Sequence, residues 1–498
     1  MLIAAGSISL ILWGIITVVS RGIPLPVMKF LLQINPSWFH AEIQRMGNGF
    51  FYGVSNKDMP AAAFFIIFTL IFCFYIASIL FLKKTKKSYI FVILFFSIVF
   101  RLILIPSTLI HENDMYRYIW DGKICVSGIN PYKYPPQTAL KKEIEAISEQ
   151  IPLDHQKKLV TLRTDNPRFY ERIGYKKVST IYPPVSQLVF ALGSFLKKDS
   201  ILIMKILFVL FDVLTILVLI RLLNLLKMNK NMVIVYAWSP LILKEFANSG
   251  HGDAIALFFV CLACLCVVLN KNICSAIFFG LGILSKLFPI VLIPFFYKRV
   301  RKLSFLIVLF SVLIGSYLPF IMWNNTAFSA IFSGFFVYAK KWSFNGGIFE
   351  FIYSVFSVLF ANKQVPYFLS KISVYLIFIS IMVVLLTRLK KRENDFLATL
   401  LFALMWLFLL SPVGDPWYYT WIIPFLCFFP LISGIFLSWL LILSYVTFTR
   451  DLGSISIGNY TISTIILVQY IPFYFVFIFE MLLKKRASNQ CLIPAKSV

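Results

Sequence analysis

Long apolar stretches recur from one end of the chain to the other, and their lengths set the first expectation. Spans at about 2–20, 61–82, 89–110, 201–226, 253–269, 303–322, 367–388, 396–411 and 464–483 are apolar almost throughout. A helix rises 1.5 Å per residue, so roughly 20 such residues cross a hydrocarbon core of about 30 Å. Shorter pieces at 232–247, 273–285, 286–297, 417–430 and 432–449 predict short or broken helices, and 184–196 and 346–360 predict helices lying at the interface. The pattern predicts an all-α polytopic integral membrane protein with about 11–14 spanning helices. Because the runs do not stop after the first, 2–20 reads as a retained helix and not as a cleaved leader.

Polarity arrives abruptly after the third span. The stretch ENDMYRYIWDGKICVSGINPYKYPP, Glu112 to Pro136, follows the greasy segment directly. If Asn113 to Gly122 is helical, Asp114, Arg117, Tyr118 and Asp121 fall at i, i+3, i+4 and i+7, on one face. That face carries two carboxylates, a guanidinium and a phenol. From Thr138 to Leu162 charged residues alternate with Leu and Ile, which predicts amphipathic helices lying along the membrane surface. The expected organisation is therefore one membrane domain over 1–486, with 111–182 inserted as an extracytoplasmic loop, and a tail over 487–498.

Composition agrees with a bilayer solvent. The chain is 60% hydrophobic, 17% aromatic and only 14% charged, too little polar surface for a soluble globule of 498 residues. Its net charge of +26 points to membrane topology and not to nucleic acid, because the basic residues abut helix ends. Lys83 to Lys87, Lys298 to Lys302, Arg388 to Arg392 and Lys484 to Arg486 mark the cytoplasmic face by the positive-inside rule, which puts the C-terminus inside. Acids behave oppositely: nine of the 21 lie between His111 and Glu171, so that segment is expected outside. Between Lys87 and Lys298 either four or six crossings satisfy the rule. Six crossings gather His251, Asp253 and Lys286 on the outer side with the acidic loop, and broken helices are tolerated where they line a cavity.

Several residues interrupt apolar sequence in ways that suggest chemistry. Asp114 is a candidate general base, with Glu112 as its alternate; a helix cap is the structural role that competes for Asp114. Arg117 has the donor fork for a phosphate, although an ion pair with Asp114 or Asp121 would occupy it equally well. Asn130, Tyr132 and Tyr182 lie in the proline-punctuated turns GINPYKYPP and TIYPP, which stop helices and could present amide and aromatic groups to a sugar. In YAWSPLILKEFANSGHGDAIA, Lys244 and Glu245 can neutralise one another, leaving His251 and Asp253 as sugar or phosphate contacts. Lys286 is surrounded by hydrocarbon and suits a phosphate, and Trp417 sits in the bend SPVGDPWYYTW. Cys261 and Cys264 form a CxxC with no second half, so neither zinc nor redox chemistry is expected. His111, Glu112, Asp114 and His251 are the set that a divalent metal would use, but no metal or cofactor is expected. No Gly-rich phosphate loop is present.

Taken in order, YRYIWDG, GINPY, YPP, YAWSPL with GHGD, SK with FP, and DPWYYTW resemble the family-87 glycosyltransferases, from about Phe100 to Phe425. The resemblance implies the C-type glycosyltransferase fold and hexose transfer, with mannose as the family's usual sugar. It implies a polyprenyl-phosphate sugar donor and a lipid or glycan acceptor on the outer face of the cell or inner membrane, for glycan synthesis in the cell envelope. By that likeness the catalytic base maps to Asp114. The family pattern commonly has two adjacent acids where this chain has Asn113 and Asp114, which leaves the second. The rival from another class is a transporter or flippase of a lipid-linked sugar, which would also need a polar cavity among broken helices.

Overall fold

The computed structural model of the chain describes residues 1–21, 61–146, 151–323, 326–360, 362, 364–390, 392–448, 453–457 and 460–490. Apart from one pair of short strands, the regular structure among these residues is helical, and it falls into two compact units: Met1–Trp342 with Lys391–Phe396, and Ser343–Lys390 with Leu397–Val498. Among the described residues, seven helices are long and apolar enough to cross a bilayer, and seven shorter apolar helices accompany them. The chain is an all-α polytopic membrane protein.

The first unit opens with α1 (Leu2–Ser20), α2 (Ala61–Lys84) and α3 (Ile90–Leu104). The expected third helix was to reach 110, but it ends at Leu104, because Pro106 has no N–H to continue the ladder. The backbone then turns through His111, whose φ is 57°, into α4 (Asp114–Val126). This short helix has two working faces. Tyr116, Trp120 and Ile124, four residues apart, bury against the insertion; Asp114, Arg117, Tyr118 and Asp121 lie on the face predicted from their spacing.

The insertion contributes α5 (Lys141–Ala146), α6 (Leu153–Thr164) and α7 (Pro167–Glu171), and residues 147–150 of the predicted amphipathic stretch lie outside the described residues. Leu153 is exposed, but most of the insertion's apolar side chains turn inward and not toward a membrane surface as expected. Ile144, Leu159, Leu162, Tyr170 and Ile173 instead close a small core on α4. Burying them there removes their apolar area from water, at about 25 cal/mol per Å², without needing a bilayer.

On its other side α4 packs against α8 (Pro184–Leu196). The approach is close at Gly122, where an added Cβ would overlap the Phe190 carbonyl group. Next come α9 (Ile201–Leu225) and a wholly buried stretch in which the expected helix 232–247 is broken into short turns around Pro240, ending in a π-helical turn, Leu243–Asn248. Gly250, at φ +69°, reverses the chain into α10 (Asp253–Val268), and α11 (Asn272–Ile283) follows. The expected break near Ser285 to Pro289 is present: α11 gives way to a 3-10 turn, Phe288–Leu292, before α12 (Ile293–Val300) and α13 (Leu303–Met322). α14 (Phe328–Lys341) closes the unit.

A clamp that no sequence motif announced ties these helices together. Arg101 on α3 forms a forked pair with Asp212 on α9, at 2.7 and 3.0 Å, and reaches the Ala237 carbonyl at 2.9 Å. Both side chains are almost fully buried. A charge of either sign alone at this depth would be costly; paired, and with further backbone and Ser97 acceptors on the guanidinium, each satisfies the other.

The second unit contains α15 (Gly347–Leu359) and α16 (Gln364–Arg388), which meet at Phe349 and Val374, and most of α17 (Glu393–Leu410). The expected helix 417–430 is absent. Pro416 is the first residue and Pro424 the second of two separate four-residue turns, Pro416–Tyr419 and Ile423–Leu426, since a proline is accepted in a first turn but not inside a helix. α18 (Ile432–Leu440) leads to the antiparallel pair β1 (Ser454–Ile457) and β2 (Tyr460–Ser463), then α19 (Thr464–Gln490). The tail expected from 487 is therefore helical as far as Gln490, and 491–498 lie outside the described residues.

Candidate active site

The polar face of α4 supplies the first half of the site. Asn113 occupies the N-cap position and Asp114 the first helical one, so Asp114 is not the cap. No cap hydrogen bond uses its carboxylate, which accepts instead from the Tyr182 hydroxyl at 3.5 Å. Three residues on, Arg117 pairs with Asp121 at 2.8 Å and donates to the Val178 carbonyl at 2.9 Å. The i, i+4 ion pair open to Arg117 on sequence grounds is the one formed.

The second half comes from the turn between the π-helical segment and α10. Bonds from Ser249 N to Lys244 O and from His251 N to Glu245 O wind this segment so that the His251 ring is buried beside α4. Its Nδ1 stands 3.4 Å from the Tyr118 hydroxyl and 4.0 Å from Asp114 Oδ2; its Nε2 stands 3.4 Å from Glu245 and 3.9 Å from Glu112. The imidazole thus separates the loop acid Asp114 from a deeper pair of glutamates. Lys244 and Glu245 are paired at 3.4 Å, as their adjacency suggested, but Glu245 also belongs to this site.

Two residues further along, Asp253 begins α10 and holds Lys286, from the break after α11, at 3.0 Å. The same ammonium lies 5.4 Å from the centre of the Tyr182 ring, within cation–π range. The arrangement places a cation and a carboxylate on either side of one tyrosine.

Tyr182 is itself fixed from behind. Tyr132 donates to its carbonyl at 2.7 Å, and Gln187 reaches the same carbonyl at 3.2 Å, Thr180 at 2.8 Å and Asp121 at 3.4 Å. Gln187 was missed from sequence, since it sits in an apolar helix with no motif around it. Asn130 lies apart from the cluster: its amide donates to the Phe320 carbonyl at 2.5 Å and to Thr326 at 2.9 Å, while its oxygen accepts from Tyr132 N at 3.1 Å. It therefore orients the loop that carries Tyr132. Trp417 belongs to the second unit, with its ring 5.7 Å from that of Tyr418.

Electrostatically the acids are unequal. Asp121, Asp253 and Glu245 have side-chain exposures of 2%, 0% and 0%, Glu112 has 7%, and Asp114 has 31%. Partial burial raises the Asp114 pKa above the ordinary carboxylate value, with Lys286 opposing and Asp253 reinforcing the shift. A carboxylate that is both accessible and more basic than usual can take a proton from a bound hydroxyl. Among the described residues no group of three or more His, Cys, Asp and Glu is disposed to hold a metal ion.

This cluster spans the edge of a recognisable region. Residues 180–412 match the model of Glycosyltransferase family 87, so Tyr182, His251, Asp253 and Lys286 lie within it and α4 precedes it. Residues 347–480 match the model of the MptB C-terminal domain. No curated protein and no solved structure matches the chain. The protein is thus a multi-pass membrane glycosyltransferase, similar over residues 180–412 to family 87.

Proposed function

We propose that the protein transfers a hexose, mannose by family likeness, from a polyprenyl-phosphate donor to a hydroxyl of a lipid or glycan acceptor at the extracytoplasmic face. Asp114 takes the proton from the acceptor hydroxyl as that oxygen bonds to the anomeric carbon. The bond from the anomeric carbon to the phosphate oxygen breaks in the same displacement, which inverts the configuration and releases the polyprenyl monophosphate. The observation that carries this reading is the accessibility of Asp114 within a cluster whose other carboxylates are almost fully buried.

The leaving phosphate needs positive charge close by, where a fixed cation in a dry site acts strongly. Lys286 and Arg117 both suit this role: Arg117 spends its Nε on Asp121 and its Nη1 on the Val178 carbonyl, but its Nη2 is buried with no hydrogen-bond partner among the described residues. Lys286 keeps 14% side-chain exposure and stands beside Tyr182, so it needs only to exchange or share Asp253. His251 backs the base and Tyr182 walls the sugar.

The test is incubation of the purified protein with a panel of polyprenyl-phosphate hexoses and nucleotide sugars, with product read by mass spectrometry. Consumption of a polyprenyl-phosphate hexose with inversion is the expected result. Consumption of a nucleotide sugar alone would overturn the donor assignment.

A further inference from the structure

A second polar site lies at the opposite end of α10 from Asp253. That helix has 16 residues, so its far end is about 24 Å from the carboxylate cluster. There Val267, Asn270, Asn272, Arg299, Val300 and Lys302 line a cavity of about 220 Å³. Its chemistry is one-sided: two cations, two amides and no acid in the lining. Arg299 spends its Nη2 on Glu393 at 2.7 Å, whereas its Nε is buried and has no hydrogen-bond partner among the described residues. A buried donor of this kind calls for an acceptor.

A helix end adds to the same field. Asn272 is the first residue of α11, and no side chain caps that terminus. Open backbone N–H groups and the positive end of the helix dipole favour an anion there. Next along the chain from the lining residues, Ile273 follows Asn272, and Leu303 follows Lys302 with Ile307 one turn on; all three are exposed apolar residues on apolar helices. The polar cavity therefore sits at the rim of a hydrocarbon-facing surface, which is where a lipid places its headgroup.

We propose that this cavity binds the phosphate of an anionic membrane lipid, with Arg299 Nε and the Lys302 ammonium as its partners and the acyl chains lying along Ile273, Leu303 and Ile307. The site is separate from the transfer chemistry and does not depend on which sugar is moved.

The full chain, purified in detergent, is titrated with phosphatidylglycerol, with phosphatidylcholine and with inorganic phosphate. Retention is followed by native mass spectrometry and stability by thermal melting. One phosphatidylglycerol is expected to survive activation that strips phosphatidylcholine, and Lys302→Gln is expected to weaken its binding about tenfold. Lys302 makes no ion pair among the described residues, so this variant tests the site even if Arg299→Gln, which also strands Glu393, fails to fold. Equal retention of the two lipids, or undiminished retention by Lys302→Gln, overturns the proposal. So does inorganic phosphate raising the melting temperature as much as phosphatidylglycerol does, since the ligand would then be a free anion.

Discussion

Asp114 Oδ2 and His251 Nδ1 stand 4.0 Å apart, one from the helix that follows the third membrane segment and the other from the turn that starts α10. Two elements distant in sequence thus meet at the one accessible carboxylate of the cluster. Replacing Asp114 by Asn keeps the shape and removes the proton acceptor. Transfer should fall by roughly 10²–10⁴-fold, the usual contribution of a positioned general base. Glu112→Gln, behind His251, should cost far less, and both variants should melt close to wild type. A protein that merely moved or bound a lipid-linked sugar would keep most of its activity in Asp114→Asn.

The pH profile gives an independent reading of the same carboxylate. Burial raises its pKa, and the base works only when deprotonated, so kcat/KM should climb with pH through an acid limb placed above the ordinary carboxylate range. Lys286 opposes the shift and Asp253 reinforces it. Lys286→Met removes the opposing cation and leaves Asp253 unneutralised, so the limb should move further toward neutral pH. A limb that moves to lower pH in this variant would sink the assignment of Asp114 as the titrating base.

Much of this site was legible in the sequence because its signals are local. Asp114, Arg117, Tyr118 and Asp121 share a face by spacing alone, and His251, Asp253 and Lys286 were visible as polar residues in hydrocarbon. What spacing could not supply was pairing. Arg101 and Asp212 are single charges in long apolar helices, 111 residues apart, and nothing near either names the other. Lys205 similarly finds the Ser107 carbonyl at 2.8 Å across 98 residues. The insertion misled for a related reason. Alternating charged and aliphatic residues fit a helix lying on lipid as well as one lying on a protein face, and only the apolar stripe Tyr116, Trp120 and Ile124 on α4 decides between them.

Gly122 offers a test of how tightly the geometry constrains the chemistry. A methyl group at this position would overlap the Phe190 carbonyl and crowd Ser194, so Gly122→Ala must push α4 away from α8. Overpacking of this kind costs about 1–3 kcal/mol. Because Asp114 and Arg117 ride on α4 while Tyr182 immediately precedes α8, activity should drop by more than the melting temperature suggests. Gly128→Ala, at a turn away from this contact, would show the loss expected from backbone strain alone.

The Arg101–Asp212 pair should reveal its energetic role through a double-mutant cycle. Arg101→Met leaves a buried aspartate without its cation, and Asp212→Leu leaves a buried guanidinium without its acid. Each single change should destabilise by about 3–5 kcal/mol, the cost of an uncompensated buried charge. Replacing both residues removes both charges at once, so the double variant should be more stable than either single one and should retain transfer activity, since neither side chain belongs to the carboxylate cluster. Thermal melting in detergent, paired with a transfer assay on all four proteins, measures the coupling. Additive losses would mean that the two residues act independently, whereas a recovered double variant would show that each charge is there to compensate the other and that neither is needed for the chemistry.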